Sequence, residues 1–194
     1  MKNCSKLVKL AKNGLIRTKD VSAAGIGRDY LRYAVEDGII ENIARGIYIL
    51  KNELEDRLFV FQLKNSKLIF SAYTSAYLLG LTTRDSDVFS VSAPLNYNNP
   101  KLQHVHSVVR EKKNIYSLGL SEANTAFGNP VKIHDAERTV CDLFSPKYAG
   151  DRFVQVEALK NYLQSADKNL VKLFEYAKLL CVYNELRMRI EVLL

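Results

Sequence analysis

The chain has 194 residues, 47% of them hydrophobic, and 28 Lys and Arg against 21 Asp and Glu give a formal charge of +7. That hydrophobic share is enough for a packed core, while a mean hydropathy of −0.13 without any long apolar run excludes a bilayer-spanning helix. The basic start MKNCSKLVKLAKNG lacks an apolar stretch and a cleavage site, so it reads as folded chain rather than an export signal; Cys4, Cys141 and Cys181 are far apart and fit reduced thiols in a cytoplasmic protein.

The basic excess sits at the N-terminal end. Residues 1–50 hold nine Lys and Arg against five Asp and Glu, whereas residues 51–194 hold nineteen against sixteen. An anionic partner for the first quarter follows from that distribution. Taken in chain order, Ser5 to Lys12 predicts a short amphipathic helix carrying Leu7, Val8, Leu10 and Ala11, stopped at Asn13-Gly14. Leu15-Ile16-Arg17 is a brief extended piece. Thr18 is placed to cap a second helix, Lys19 to Ala24, with Asp20 in its first turn. A third helix begins near Gly27 and closes at Gly38. Ile39 to Leu50 then folds back on itself through a turn at Arg45-Gly46, because glycine tolerates positive φ.

Helices joined by a glycine turn and followed by a hairpin form a winged helix-turn-helix. On the third helix Leu31, Ala34 and Val35, with Ile26 ahead of them, predict the buried side. Arg28, Asp29, Arg32, Tyr33 and Glu36 fall on the other. Arginines one turn apart present guanidinium forks suited to guanine edges or phosphates, and Arg45 at the hairpin tip suits a phosphate or minor groove. The expected DNA-binding set is Thr18, Lys19, Arg28, Arg32, Tyr33 and Arg45. A merely solvated basic face, or a winged helix serving protein contacts, is the competing reading.

Lys51 to Arg57 is polar and acidic and predicts a boundary, giving a DNA-binding domain over 1–52 and a second domain over 58–194. The second domain starts with a helix over Leu58 to Leu63 and a strand at Leu68-Ile69-Phe70. Ser71 is placed to cap a helix over Ala72 to Leu79. Strands follow at Val88 to Ser92, Val105 to Arg110, Ser117 to Leu120 and around Val131 and Ile133. Asp135 caps a helix through Glu137, Arg138, Val140 and Leu143. Phe153 to Leu163 is helical, as are the stripes Leu170, Leu173, Phe174, Ala177, Leu180 and Leu186, Ile190, Leu193. The class is α+β, with a small central sheet and a C-terminal helical layer.

Chemistry in the second domain is sparse. Asp85-Ser86-Asp87 has the D-x-D form of metal-binding carboxylates in nucleotidyltransferases, but the upstream Gly-Ser loop is missing and a polar turn is the simpler account. His104 and His106 would share one strand face, yet no carboxylate or cysteine completes a metal set. In IHDAERTVCDLF, Arg138 and Asp142 lie at i, i+4 and predict a structural ion pair, with a buried functional arginine as the runner-up. No nucleophile elbow, phosphate loop or HExxH motif occurs. The reading is of a non-enzyme without cofactor or metal; the alternative is a degenerate nucleotidyltransferase using Asp85 and Asp87.

The stretch GLIRTKDVSAAGIGRDYLRYAVEDGIIENIARGIYIL resembles the N-terminal winged-helix domain of the AbiEi antitoxins, and FSAYTSAYLLGLTTRDSDVFSVSAP and VKIHDAERTVCDLF resemble two segments of that family's C-terminal domain. The resemblance implies an abortive-infection, phage-resistance role: binding of operator repeats, repression of the chain's own operon, and neutralisation of a nucleotidyltransferase-like toxin without a stable complex. A cytoplasmic monomer or weak dimer, cooperative on DNA, is expected with it. Gly27 stands where related sequences often have serine or threonine at the start of the recognition helix.

Overall fold

The computed structural model describes residues 2–85, 87–100, 102, 105–148 and 151–193. Contacts divide the chain into one unit over Met1–Lys64 with Ala126–Asn129, and another over Asn65–Thr125 with Pro130–Leu194. In the first, α1 (Lys2–Leu10) leads to β1 (Leu15–Arg17), α2 (Thr18–Ala23) and α3 (Asp29–Glu36). The hairpin β2 (Ile40–Ala44) and β3 (Ile47–Leu50) and the helix α4 (Arg57–Lys64) complete it.

Strand β3 lies between β1 and β2, antiparallel to both, in the order β1-β3-β2. Alternation sends the two faces of this small sheet into different cores. Ile16 joins Leu7, Val21, Ile26, Leu31, Ala34 and Ile40 among the helices. Leu15, Ile47 and Ile49 pack with Val60 of α4. The unit therefore runs on to Lys64, past the polar stretch Lys51 to Arg57, because α4 covers a sheet face that would otherwise be wet. Asp56, buried within that stretch, accepts from Phe59 N at 3.0 Å and so caps α4; Asn129 Nδ2 donates to its other oxygen at 2.8 Å. Asn13 Nδ2 in turn donates to Asn129 Oδ1 at 3.1 Å, so two side-chain bonds tie Ala126–Asn129 to this unit.

The second unit contains β4 (Ile69–Phe70), α5 (Ala72–Leu78), β5 (Phe89–Pro94), β6 (Val105–Glu111), α6 (Lys113–Tyr116), β7 (Leu120–Asn124) and β8 (Pro130–His134). Helices α7 (Ala136–Leu143), α8 (Arg152–Gln164), α9 (Leu170–Leu179) and α10 (Tyr183–Leu193) follow. Its mixed sheet has the order β6-β5-β4-β8-β7, with β5∥β6 and β4∥β8 parallel and the other pairs antiparallel. The α+β reading, with a small sheet and a terminal helical layer, agrees with this architecture. The helical stripes supply its core: Leu173, Ala177 and Leu186 are fully buried.

Three local expectations are corrected. Ser117 to Leu120 is not a strand: α6 precedes it, and the chain turns at Gly119, φ +68, before β7 begins at Leu120. A Cβ at Gly119 would lie 2.7 Å from the Cβ of Arg138, so no side chain fits there. Ser71 and Thr18 make no side-chain cap; Ser71 precedes α5 without such a bond, and Thr18 is itself the first residue of α2. Asp135 does cap α7, accepting from Arg138 N at 2.9 Å.

The polar residues of IHDAERTVCDLF form the frame of this unit. Arg138, fully buried, donates from Nε to Asp142, from Nη2 to Glu111 and from Nη1 to the Ile115 carbonyl, each at 2.8 Å. Asp142 also faces His134 Nδ1 at 2.8 Å, and Ser92 donates to Glu111 at 2.8 Å. Burial alone would lower the pKa of Arg138, but Asp142 and then Glu111 more than offset it, so the pKa is raised and the cation is secure. Lys172 of α9 reaches Asp135 and Glu137, both at 3.0 Å. The i, i+4 ion pair is thus one bond of a larger network, anchored by a carboxylate twenty-seven residues away.

Replacing Arg138 by Met leaves Glu111 and Asp142 buried without their shared cation. Urea titration should show a loss of about 3–5 kcal/mol in unfolding free energy. Adding Glu111→Gln and Asp142→Asn should recover part of that loss. A single variant as stable as the parent would contradict this description of the core.

Candidate nucleic-acid interface

The hairpin tip and the start of α2 are joined at one point. Thr18 N donates to the Gly46 carbonyl at 2.9 Å, just where β1 ends beside β3 in the pair Arg17–Ile47. Gly46 holds φ +73, and a Cβ on it would meet Thr18 Oγ1 at 3.2 Å. The turn therefore requires glycine on two counts, conformation and space. Arg45 is held at the tip by this arrangement, and Lys19 follows Thr18. Both side chains are exposed. A register shift between Asn42 and Ala44 lets the hairpin bend before its tip.

Arg17 is a residue that pattern reading passed over. Its Nε donates to Asp20 at 2.6 Å and its Nη2 to the other carboxylate oxygen at 3.3 Å. This fork ties the end of β1 to the first turn of α2. The spacing Arg17-x-x-Asp20 was the available signal, since i, i+3 partners meet on a helix.

Helix α3 starts at Asp29, with Arg28 as its N-cap residue in αR geometry and no side-chain cap, so it begins later than Gly27. Leu31 and Ala34 are buried as expected. Val35 is not: it is 38% exposed, because one residue past Ala34 the helix has turned by about 100° and carries the side chain to the flank. On the outward side, Arg32 Nε lies 3.6 Å from Glu36, and its guanidinium carbon stands 5.2 Å from the Tyr33 ring centre. Lys19, Arg28 and Arg45 are exposed and make no ion pair among the described residues. Of the six expected residues, Thr18 bonds the hairpin at Gly46, with Lys19 next to Thr18 and Arg45 next to Gly46 in the chain, while Arg28, Arg32 and Tyr33 belong to α3 and its cap.

The other candidates lie in the second unit. Asp85 and Asp87 are exposed on the segment between α5 and β5; Ser86 is outside the described residues. Asp85 borders a cleft of about 320 Å³ with Tyr73, Tyr77 and Arg84. His104 is outside the described residues, and so is the side chain of His106. Among the described residues no group of three or more His, Cys, Asp or Glu could hold a metal ion, and no helix is long and apolar enough to cross a membrane.

Residues 5–51 match a protein family described as transcriptional regulator, AbiEi antitoxin. The match runs from within α1 to the end of β3 and stops before α4. The chain is similar in fold to the crystal structure of the RV2827C protein from Mycobacterium tuberculosis, with a TM-score of 0.60 and 14% identity over 91% of this chain and 70% of that one. At that identity the likeness concerns fold alone. No curated protein matches the chain.

Gly46→Ala should strain the tip by about 1–2 kcal/mol, the usual cost of a left-handed conformation for a residue with a Cβ. Amide hydrogen exchange of β3 should accelerate accordingly while the strands of the second unit keep their rates. Unchanged exchange at Ile47 and Tyr48 would contradict the junction as described.

Proposed function

We propose that the chain represses its own operon by binding operator DNA through the first unit and acts, through the second, as antitoxin to a nucleotidyltransferase-like toxin. The observation that carries the DNA reading is the set of exposed cations Lys19, Arg28 and Arg45, none neutralised by a carboxylate among the described residues, on a unit of regulator type. An unneutralised surface cation is what phosphate binding requires, because its driving force is the release of counterions from DNA.

In this reading α3 enters the major groove. Arg28 and Arg32 offer forks to guanine edges, and Tyr33 lies beside them. Glu36 lies 3.6 Å from Arg32, and on binding the guanidinium leaves that carboxylate for the O6 and N7 acceptors of a guanine. Arg45 reaches a neighbouring phosphate or the adjacent minor groove, and Thr18 and Lys19 take backbone phosphates, contacts that fix position without reading sequence. The second unit counters the toxin without forming a stable complex. The polar side chains around Arg138 are engaged within that unit's frame and take no part in countering the toxin. The chain works in the cytoplasm as a monomer or weak dimer, cooperative on operator repeats.

Gel-shift titration with the chain's own promoter tests the division of tasks. Arg28→Ala with Arg32→Ala should cost about 1–3 kcal/mol for each bidentate arginine–guanine pair removed, abolish repression of a promoter reporter, and leave rescue of toxin-expressing cells intact. A variant that accumulates normally but cannot rescue would show that neutralisation depends on DNA binding.

Arg45→Ala should weaken specific and random duplex alike, and the slope of log K against log salt should become shallower by about one unit. A loss confined to one operator sequence would make Arg45 a reader of bases or groove shape instead.

A further inference from the structure

Two tyrosines remain unexplained by the core of the first unit. Tyr30 and Tyr33 of α3 are 41% and 49% exposed, with ring centroids 6.4 Å apart in an edge-to-face arrangement. The buried side of the helix is supplied by Leu31 and Ala34, so neither ring is needed to close it. Neither hydroxyl makes a hydrogen bond among the described residues. The helix thus presents flat apolar area to water beside its arginines, and leaving such area wet forgoes burial free energy.

A major groove offers few partners for such a surface. Phosphates and guanine edges are polar and suit Arg28 and Arg32. The C5-methyl of thymine is the apolar feature of the base edges, and side-chain carbon packs on it. Arg32 also rests near the Tyr33 ring, 5.2 Å from its centre, so guanidinium and ring advance together and meet neighbouring base pairs. We infer that Tyr30 and Tyr33 read thymine methyl groups, making the preferred ligand a duplex in which thymines adjoin the guanines taken by the arginines. The inference rests on the docking of α3 proposed above and adds a specificity element to it.

The test uses the full chain and the tightest-binding duplex that it selects from a randomised pool. A matched duplex carries deoxyuridine for thymine within the protected site, which deletes methyl groups and leaves every hydrogen-bonding edge in place. The wild-type chain should bind the deoxyuridine duplex about three- to fivefold more weakly for each methyl touched. The Tyr30→Ala, Tyr33→Ala double variant should bind both duplexes equally, with an unchanged circular dichroism spectrum because both rings are surface groups. Tyr33→Phe should keep the discrimination, since the ring and not the hydroxyl meets the methyl. Equal wild-type affinity for the two duplexes, or discrimination that survives in the double variant, would overturn the inference while leaving DNA binding intact. Loss of toxin rescue in a double variant that still discriminates would put the tyrosines on a protein-binding surface and overturn it too. A wild-type chain that selects no duplex would bring down the docking of α3 and the inference with it.

Discussion

The pairing of β3 with both of its neighbours is the constraint on which the first unit depends. One four-residue strand fixes the hairpin through β2 and, through β1, the point where α2 begins. The bond from Thr18 N to the Gly46 carbonyl then ties the tip to the start of α2. Small winged domains have little core to spare. Here both faces of a three-stranded sheet are used, one by α1, α2 and α3 and the other by α4. The cations at the junction are consequently carried on backbone that is over-determined by pairing and packing. A site positioned by a rigid scaffold loses less freedom when it binds.

Much of this was legible in the sequence, for reasons specific to particular residues. Gly38 and Gly46 marked the end of α3 and the hairpin tip because both positions need positive φ, at +65 and +73. Leu31 and Ala34 gave the buried side of α3. The i, i+4 spacing of Arg138 and Asp142 gave their ion pair, and Asp135 the cap of α7. Pattern reading stopped where partners are distant in sequence. Glu111 completes the Arg138 network, Lys172 ties α7 to α9, and Asn129 returns to Asp56, and no local spacing encodes any of these. Helix flanks are equally hard to read: Val35 is apolar and Tyr30 aromatic, yet both are exposed. The polar stretch from Lys51 to Arg57 suggested a boundary by composition alone, whereas Val60 commits the following helix to the sheet before it.

The two units solve the problem of charge differently. In the second, charge is buried and hydrogen-bonded: a guanidinium forks onto two carboxylates and a carbonyl, and His134 Nδ1 lies 2.8 Å from one of those carboxylates. Such a network contributes little net stability over an apolar core, but breaking it is costly, and it admits one arrangement of α7 against the sheet. In the first unit, Lys19, Arg28 and Arg45 are left in water without carboxylate partners among the described residues, while Arg17 and Arg32 are held by Asp20 and Glu36. Held arginines keep geometry and unpaired cations keep charge available. That contrast is the physical argument for a scaffold in one unit and a polyanion-binding surface in the other.

Dimethyl sulphate interference on a duplex bound by the full chain tests the central claim most directly, because it asks whether the protein covers the major groove, as the proposed docking of α3 requires. Methylation at guanine N7 blocks the major groove, and methylation at adenine N3 blocks the minor. The account predicts that a short cluster of N7-methylated guanines is depleted from the bound fraction, with any N3 effect confined to the side approached by the Arg45 hairpin. Guanine N7 methylation spread evenly between bound and free duplex would contradict it.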